Sequence, residues 1–242
     1  MKTLILTLFI IVAACFGGPL RAQSKMDTSQ HLDKKQQSIV SISALTAVGD
    51  IEKLTTELNN GLDAGLTINE IKEVLVQLYA YCGFPRSLNG ISTFMAVVKD
   101  RKARGISDVE GRLSELNTIG QDSYERGRKV LETLTKTPQT KPAPGFGEFA
   151  PRIDAFLKEH LFADIFDSDV LTYQQRELAT VSALAAMSGV ASQLQAHIGI
   201  AMNTGLTQSQ LLDSFTIIDQ TISKEQGDLA RSVLKKVTDT RK

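Results

Sequence analysis

The sequence RELATVSALAAMSGVASQLQAHIGIAMNTGLTQSQL (residues 176–211) carries most of the information about the fold class. Small and apolar residues without proline predict two helices, over residues 172–187 and 190–203, and Gly189 marks the turn between them. Residues 207–210, Thr-Gln-Ser-Gln, have the form of a capping box, in which the first side chain caps a helix and the fourth bonds back. The stretch therefore predicts three successive helices.

The same helical signals occur earlier in the chain. Residues 67–70, Thr-Ile-Asn-Glu, form another capping box, and the helix that follows is expected to reach about residue 82 before Gly83 and Pro85 end it. A further helix is predicted over residues 85–103. Aromatic residues make up only 6% of the chain and there are only six prolines, which favours helix over sheet. The protein is therefore predicted to be all-α.

The two helical regions resemble each other, which indicates an internal duplication. Two tripeptides recur at an offset of 139 or 140 residues, Ser43-Ala-Leu45 as Ser182-Ala-Leu184 and Gly65-Leu-Thr67 as Gly205-Leu-Thr207. The matches keep their order along the chain and fall on packing positions and helix ends. We therefore predict two related helical blocks, residues 36–121 and 122–242, that pack as a pseudo-dimer.

These motifs resemble those of the carboxymuconolactone decarboxylase family, which is related to the alkylhydroperoxidase D proteins. In residues 176–211 the resemblance lies in an Arg-Glu-Leu start, a helix of small residues, a Gln-Leu-x-x-His helix and an Asn-x-Gly-Leu-Thr turn. Residues 74–91, VLVQLYAYCGFPRSLNGI, are similar to the closing motif of the family, a tyrosine followed by a small residue, Gly, any residue and Pro. The resemblance covers about residues 40–237 and implies an alkylhydroperoxidase D-like helical bundle.

Each block lacks motif residues of the family that the other block has. At the offset of 140 residues His197 corresponds to Glu57, and at the offset of 139 residues Glu177 corresponds to Ser38. In the other direction, the tyrosine motif of the first block corresponds to Thr221-Ile-Ser223 in the second. These complementary losses suggest one composite pocket per chain, with the first block lining a site that the second block supplies.

His197 and Glu177 are the leading catalytic candidates. A neutral imidazole can accept a proton near pH 7 and return it, as decarboxylation of a lactone acid through an enol-like intermediate requires. If the turn at Gly189 makes the two helices antiparallel, Glu177 faces His197 and can orient its ring. The alternative is an interior histidine bonded to a carbonyl group, with Glu177 as an ordinary surface or capping acid.

Cys82 is a candidate nucleophile for a different chemistry. The hydroperoxidase branch of the family carries cysteines seven and four residues before its histidine, but these positions are Val190 and Gln193 here. The resemblance therefore implies that dithiol chemistry is absent. Cys82 remains as a single thiol, reactive if its pKa is lowered. The alternative is that Cys82 is a small apolar residue at a helix end.

Three residues around Cys82 are candidates for substrate binding. Tyr79 and Tyr81 can donate phenolic hydrogen bonds to a carboxylate or an enolate, and Arg86 can pair with an anion. The alternative places both tyrosines at the edge of the core and leaves Arg86 as a solvated charge in the first turn of its helix. The sequence alone does not choose between these interpretations.

The N-terminal segment is predicted to direct export. Residues 1–22 combine Lys2, an apolar run of about 12 residues and a small residue at Ala22, as a secretory signal peptide does. Residues 23–35 are then a polar leader, and the mature protein is periplasmic or secreted, without a transmembrane segment. The alternative is a lipoprotein anchored through Cys15. Either way one thiol remains, so no intrachain disulfide is expected.

Composition and missing motifs exclude several function classes. The 27 basic and 27 acidic residues cancel, so binding of nucleic acid through a broad cationic surface is not expected. No nucleotide-binding or hydrolase motif occurs, and the pairing of His160 with Asp164 is too weak a pattern for a metal. We expect cofactor-free decarboxylation or isomerisation of a small carboxylate or lactone by a homo-oligomer. The alternatives are a thiol peroxidase and a non-catalytic binding or assembly module.

Overall fold

The computed structural model describes residues 31–115 and 120–241, and all regular elements in these ranges are helices. In chain order they are α1 (Lys34–Val48), α2 (Ile51–Asp63), α3 (Ile68–Ala103), α4 (Ser123–Thr135), α5 (Phe146–Phe149), α6 (Pro151–Ala155), a π-helix (Phe156–Phe166), α7 (Tyr173–Ala186), α8 (Ala191–Asn203), α9 (Gln208–Thr221) and α10 (Lys224–Thr240). None of these helices is both long and apolar enough to cross a membrane. The predicted signal peptide and Cys15 lie outside the described residues.

The helices repeat in the order that the duplication predicted. Helices α1 and α2 correspond to α7 and α8, the first part of α3 corresponds to α9, and the rest of α3 corresponds to α10. The predicted capping boxes are present, because the Thr67 hydroxyl accepts from the Glu70 N–H group and the Thr207 hydroxyl accepts from the Gln210 N–H group. The all-α fold with two related blocks is thus confirmed.

Helix α3 contains the break that the sequence predicted near residue 83. Gly83 adopts a φ of 82°, a left-handed value that glycine tolerates because it has no Cβ atom. Pro85 follows at the start of the second part, where its missing N–H group costs no helical hydrogen bond. The break ends the first part directly after Tyr81 and Cys82, and thus sets where these two side chains lie.

The core centres on α1 and α7, which pack against each other across the two blocks. Both helices are rich in small residues and are buried around nearly their whole circumference, as Ala44, Ala47, Ala179 and Ala183 illustrate with no exposed surface. Small side chains let the two helix axes approach closely. The remaining helices of each block surround this central pair and contribute leucine and isoleucine side chains to one continuous core.

A hairpin of α4 and the π-helix forms a second, smaller apolar cluster beside the main core. A Cβ atom at Gly127 would lie 1.7 Å from the Lys158 carbonyl oxygen, so only glycine fits where α4 meets the π-helix. The Lys158 ammonium group is buried and donates to the Asp154 carboxylate, the Tyr124 hydroxyl and the Thr140 carbonyl. This network fixes the hairpin because each charged partner is hydrogen-bonded away from water.

Two segments differ in detail from the sequence expectation. The sequence of residues 153–166 is amphipathic and predicts one α-helix, but from residue 156 the chain forms a π-helix. Its buried apolar residues are nearly consecutive, at 161–163 and 165–166, so they do not follow the α-helical period. Helix α1 begins at Lys34, inside the predicted leader, and the preceding Leu32 is buried with its N–H group bonded to the Asp213 carboxylate.

Candidate functional site

Glu177 in the second turn of α7 and His197 near the middle of α8 form a hydrogen-bonded pair. The turn at Gly189 brings the two helices together, and Glu177 Oε2 lies 2.9 Å from His197 Nδ1. Glu177 has no exposed surface and the His197 side chain is 12% exposed. His197 therefore bonds a buried carboxylate and not a main-chain carbonyl group, and Glu177 is not a surface acid.

The tautomer of His197 follows from this contact. With Glu177 in its carboxylate form, which only accepts hydrogen bonds, Nδ1 carries the proton that is donated to Glu177. The second ring nitrogen, Nε2, then holds a lone pair, and no hydrogen bond to it occurs among the described residues. An imidazole held in this way is oriented for proton transfer at Nε2, because the carboxylate stabilises the cation that forms when Nε2 is protonated.

Tyr81 completes the cluster from the first block. Its ring stands edge-on to the His197 ring, with 5.3 Å between the ring centroids and an interplanar angle of 80°. The Tyr81 hydroxyl is buried without a hydrogen bond of normal geometry, and Glu177 Oε1 is likewise buried and unpartnered. Burial, followed by the Glu177 charge, raises the pKa of Tyr81, whereas the nearby Thr180 hydroxyl and Arg176 lower it. Tyr81 thus stays protonated and is a donor beside His197.

A buried network that the sequence reasoning missed holds α3 against α7 next to this cluster. The Arg176 guanidinium donates to Glu73 Oε1 at 2.7 Å and to Gln77 Oε1 at 3.0 Å. The Gln77 amide in turn donates to the Arg176 carbonyl and the Thr180 hydroxyl. Since Gln77 lies one turn before Tyr81 and Arg176 directly precedes Glu177, the network sets how the two blocks meet at the site.

Two matches of one family model cover both halves of this site. The model of the carboxymuconolactone decarboxylase family matches residues 20–93 and again residues 151–224. The chain belongs to the carboxymuconolactone decarboxylase family. The first match includes Tyr81 and the second includes Glu177 and His197. A stretch of 79 residues is also 25% identical to an uncharacterized protein of Methanocaldococcus jannaschii, covering 33% of this chain and 74% of that protein.

Two of the candidate binding residues of this family member have other contacts. The Tyr79 ring stacks on Phe84 at 4.5 Å between centroids and lies 5.5 Å from the His160 ring. Burial, and then the Asp164 charge, raises the pKa of Tyr79. Arg86 donates to the Ala47 carbonyl at the end of α1. Of the three predicted binding residues, the structure thus brings Tyr81 into contact with His197 and ties Arg86 to the helix end of the first block.

Cys82 has the surroundings of a packing residue. Its thiol donates within the helix to the Leu78 carbonyl at 3.1 Å, and its side chain packs against the main core. Burial raises the pKa of Cys82 above its ordinary value, although the charge of Arg86 acts in the opposite direction. A raised pKa reduces the thiolate fraction at neutral pH, and the thiolate is the form that attacks peroxides.

A second histidine–carboxylate pair lies on the surface of the protein. His160 Nδ1 lies 3.0 Å from Asp164 Oδ2 on the π-helix, and both side chains are about half exposed, at 50% and 53%. Within the described ranges there is no group of three or more His, Cys, Asp or Glu side chains arranged to hold a metal ion. The pair of His160 and Asp164 is therefore a control for the pair of His197 and Glu177, since it has the same chemical groups but is exposed to solvent.

Proposed function

We propose that this protein is an acid–base enzyme that decarboxylates or isomerises a small carboxylate or lactone without a cofactor, with His197, Glu177 and Tyr81 as its catalytic residues. The observation that carries the proposal is the buried pair of Glu177 and His197, with an unpartnered carboxylate oxygen and an unpartnered Tyr81 hydroxyl beside it. Buried polar atoms without partners cost about 1–3 kcal/mol each. Each such atom calls for a physical explanation, and a catalytic or ligand-binding role is one.

The proposed reaction moves one proton at a time. For isomerisation, His197 Nε2 removes a proton from the carbon next to the substrate carbonyl group, and the electron pair of that C–H bond moves onto the carbonyl oxygen. The Tyr81 hydroxyl donates a hydrogen bond to this oxyanion, while Glu177 stabilises the imidazolium. His197 then returns its proton to another carbon of the delocalised anion. The substrate leaves as an isomer, and all three side chains regain their starting states.

Decarboxylation uses the same groups in a different order. The C–C bond to the carboxylate breaks, carbon dioxide leaves, and the bonding electrons delocalise onto the neighbouring carbonyl oxygen. Tyr81 donates to that oxygen, and a protonated His197 delivers a proton to the carbon that lost the carboxylate. One proton is taken up for each carbon dioxide released, and water resupplies it to Nε2.

A His197→Gln variant tests the proposal directly. A panel of small lactones and of unsaturated or 3-oxo carboxylates is incubated in deuterium oxide, and carbon dioxide release and deuterium incorporation are measured. General acid–base catalysis contributes about 10²–10⁴-fold, so turnover of the accepted substrate should fall by that factor in the variant. Circular dichroism and the melting temperature should stay close to those of the native protein, because the glutamine still bonds Glu177.

Glu57→Gln is the matched control, because Glu57 occupies the position in α2 that His197 occupies in α8. His160→Gln is a second control, since it removes the exposed histidine of the pair with Asp164. Both variants should keep full turnover. Unchanged turnover in His197→Gln, or no turnover of any substrate class by the native protein, would contradict the acid–base proposal.

The two other candidate functions have less support from the geometry. A peroxidase working through Cys82 needs a thiolate, whereas burial raises the pKa of this thiol. A non-catalytic binding module would use the same unpartnered atoms of Glu177 and Tyr81 to hold a ligand without turnover. Tight binding of a panel compound with no proton exchange would favour the binding module over the enzyme.

We also propose that the protein is exported, with residues 1–22 as the cleaved signal peptide. The proposal is supported by the short apolar run after Lys2 and by the small residue Ala22. Mass spectrometry of the protein from its native host should find Gln23 as the first residue. A lipid-modified Cys15 at the N-terminus would instead identify the lipoprotein route, and an intact Met1 would contradict export by either route.

A further inference from the structure

The outward face of α3 beyond the Gly83 break is apolar and exposed. Phe84, Leu88 and Met95 are 61%, 54% and 68% exposed, and their spacing of four and seven residues places them along one side of the helix. Residues 87–98, SLNGISTFMAVV, contain no charged side chain. We call the surface formed by Phe84, Leu88 and Met95 the α3 face. A helix surface of this kind in contact with water is unfavourable, and contiguous apolar patches typically mark an interaction site.

The duplicated helix shows that the fold does not require this face. In α10 the positions of Phe84, Leu88 and Met95 are occupied by a lysine, an aspartate and another lysine, namely Lys224, Asp228 and Lys235. These three form surface ion pairs, Lys224 with Asp228 at 2.8 Å and Lys235 with Asp239 at 2.6 Å.

The inward positions of the two helices are apolar in both copies. Phe94 and Val97 of α3 and their counterparts Leu234 and Val237 of α10 are all buried. The two helices therefore pack on the core in the same way, and only their outward surfaces differ. The apolar outward surface of α3 therefore suggests a contact with another molecule.

We infer that the α3 face binds the α3 face of a second copy of this chain, about a two-fold axis. About such an axis the same patch meets itself, with residue i contacting residue j and j contacting i, so a patch with charges of one sign would repel itself. Residues 87–98 avoid this repulsion completely, since they carry no charge. The polar face of α10, with several charges of both signs, lacks the apolar surface that such pairing needs.

The three large side chains of the α3 face supply more than half of the area that a stable dimer contact needs. With roughly 200 Å² for a large side chain, the exposed parts of Phe84, Leu88 and Met95 amount to about 350 Å² per copy and about 700 Å² for a pair. Stable interfaces bury at least about 1,200 Å² in total. These three side chains alone thus supply more than half of that minimum, and the small exposed residues between them supply further area.

Small residues between the large ones permit close packing. An antiparallel pairing centred on Ser92 places Leu88 opposite Ala96 of the second copy, so that a large side chain meets a small one. Ser92 and Ala96 are both exposed. The axis through Ser92 also gives a specific geometric expectation, since the two copies of this serine would face each other.

The first test replaces two of the three residues of the α3 face, Leu88 and Met95, with the residues that α10 carries naturally. A Leu88→Asp, Met95→Lys double variant should fold as the native protein does, because the same residues are solvated at the equivalent sites of α10. Sedimentation equilibrium of the purified protein should show a native dimer, with a dissociation constant at least about 100-fold higher in the double variant. Leu229→Asp on α10, where the leucine is 39% exposed, is the matched control and should leave the dimer unchanged.

The second test uses a serine that occurs at equivalent positions of α3 and α10 in the same chain. Ser92 and Ser232 are equivalent and both exposed. Under mild oxidation a Ser92→Cys variant should form a disulfide-linked dimer, whereas Ser232→Cys should not. A monomeric native protein at about 50 µM, well above the Kd of a stable dimer, would overturn the inference. A dimer that survives the double variant, or equal cross-linking of both cysteine variants, would overturn it too.

Discussion

Two equivalent corners of this molecule are built from corresponding helices and have different polar contents. The His197 corner contains Glu177, His197 and Tyr81, and the Glu57 corner contains their counterparts Ser38, Glu57 and Thr221. In the His197 corner the buried carboxylate bonds the imidazole. In the Glu57 corner the carboxylate of Glu57 instead accepts from Asn60 on its own helix, and the Thr221 hydroxyl donates to the Ile217 carbonyl.

The hydrogen-bond networks beside the two corners also differ, and the network beside the His197 corner is again the more polar one. Around the His197 corner, Arg176 and Gln77 join the two blocks through buried hydrogen bonds. Their counterparts are Gln37, which is exposed and donates to the Leu32 carbonyl, and Ile217, which packs against the core. The helices, caps and apolar positions persist in both blocks, so the fold does not need the buried polar groups. Because only the His197 corner has these buried polar groups, we infer that the function requires them.

Some polar contacts persist in both blocks, which makes the loss in the Glu57 corner more informative. Arg101 at the end of α3 donates to Asp63 of α2, and the equivalent Arg241 after α10 donates to Asn203 of α8. This tie joins the same two helices in each block. This tie has a structural purpose that both blocks share, whereas the buried hydrogen bond from Arg176 to Gln77 has no counterpart at Gln37 and Ile217.

The largest difference between the corners is expected on removal of the buried guanidinium. Arg176→Met leaves Glu73 and Gln77 without their partner and should lower the free energy of unfolding by about 3–5 kcal/mol. Gln37→Met, the matched change in the first block, should lower it by less than about 1 kcal/mol because Gln37 is exposed. Urea unfolding followed by circular dichroism measures both. Equal losses would show that the two networks are energetically equivalent and that the comparison fails.

A smaller effect concerns Cys82, whose counterpart Ile222 is apolar and packs against the same core. If Cys82 is likewise a packing residue, alkylation by iodoacetamide at pH 7.5 should be at least about tenfold slower than for a free thiol. Because burial raises the pKa of Cys82, the reaction rate should still be rising with pH above the ordinary thiol pKa of 9.0. Mass spectrometry of the alkylated protein reports the rate. Fast alkylation with a midpoint below pH 8 would revive the peroxidase alternative.

The smallest effect on stability is expected for the unpartnered hydroxyl of Tyr81. Tyr81→Phe should leave the free energy of unfolding unchanged or raise it by up to about 1 kcal/mol, since a buried hydroxyl without a partner is removed. Turnover should nevertheless fall, because the donor to the substrate oxygen is lost. Thr221→Val in the Glu57 corner should change neither turnover nor, by more than about 1 kcal/mol, stability. A loss of more than about 2 kcal/mol in Tyr81→Phe would identify the hydroxyl as structural.

The sequence was informative wherever a local rule applied. The capping boxes at Thr67 and Thr207, the break at Gly83 and the turn at Gly189 depend on residues close together in the chain, and all four are present in the structure. It was less informative for the π-helix, because the nearly consecutive apolar residues at 161–163 match no α-helical face. Gln77 gave no signal of its importance, since an isolated glutamine in a helix is normally a solvated residue.

The amino-acid sequence by itself determined the all-α fold, the duplication and the identity of His197, Glu177 and Tyr81 as candidates. Helical periodicity, caps and stops are local properties, and the offset between the blocks is a property of the sequence alone. Only the tertiary structure decided that Tyr81 from one block stands against His197 from the other, that Arg176 is buried in a network with Gln77, and that residues 31–115 and 120–241 leave the α3 face exposed. These facts depend on how helices far apart in the chain pack together, which sets burial and partners and is not encoded in any single segment.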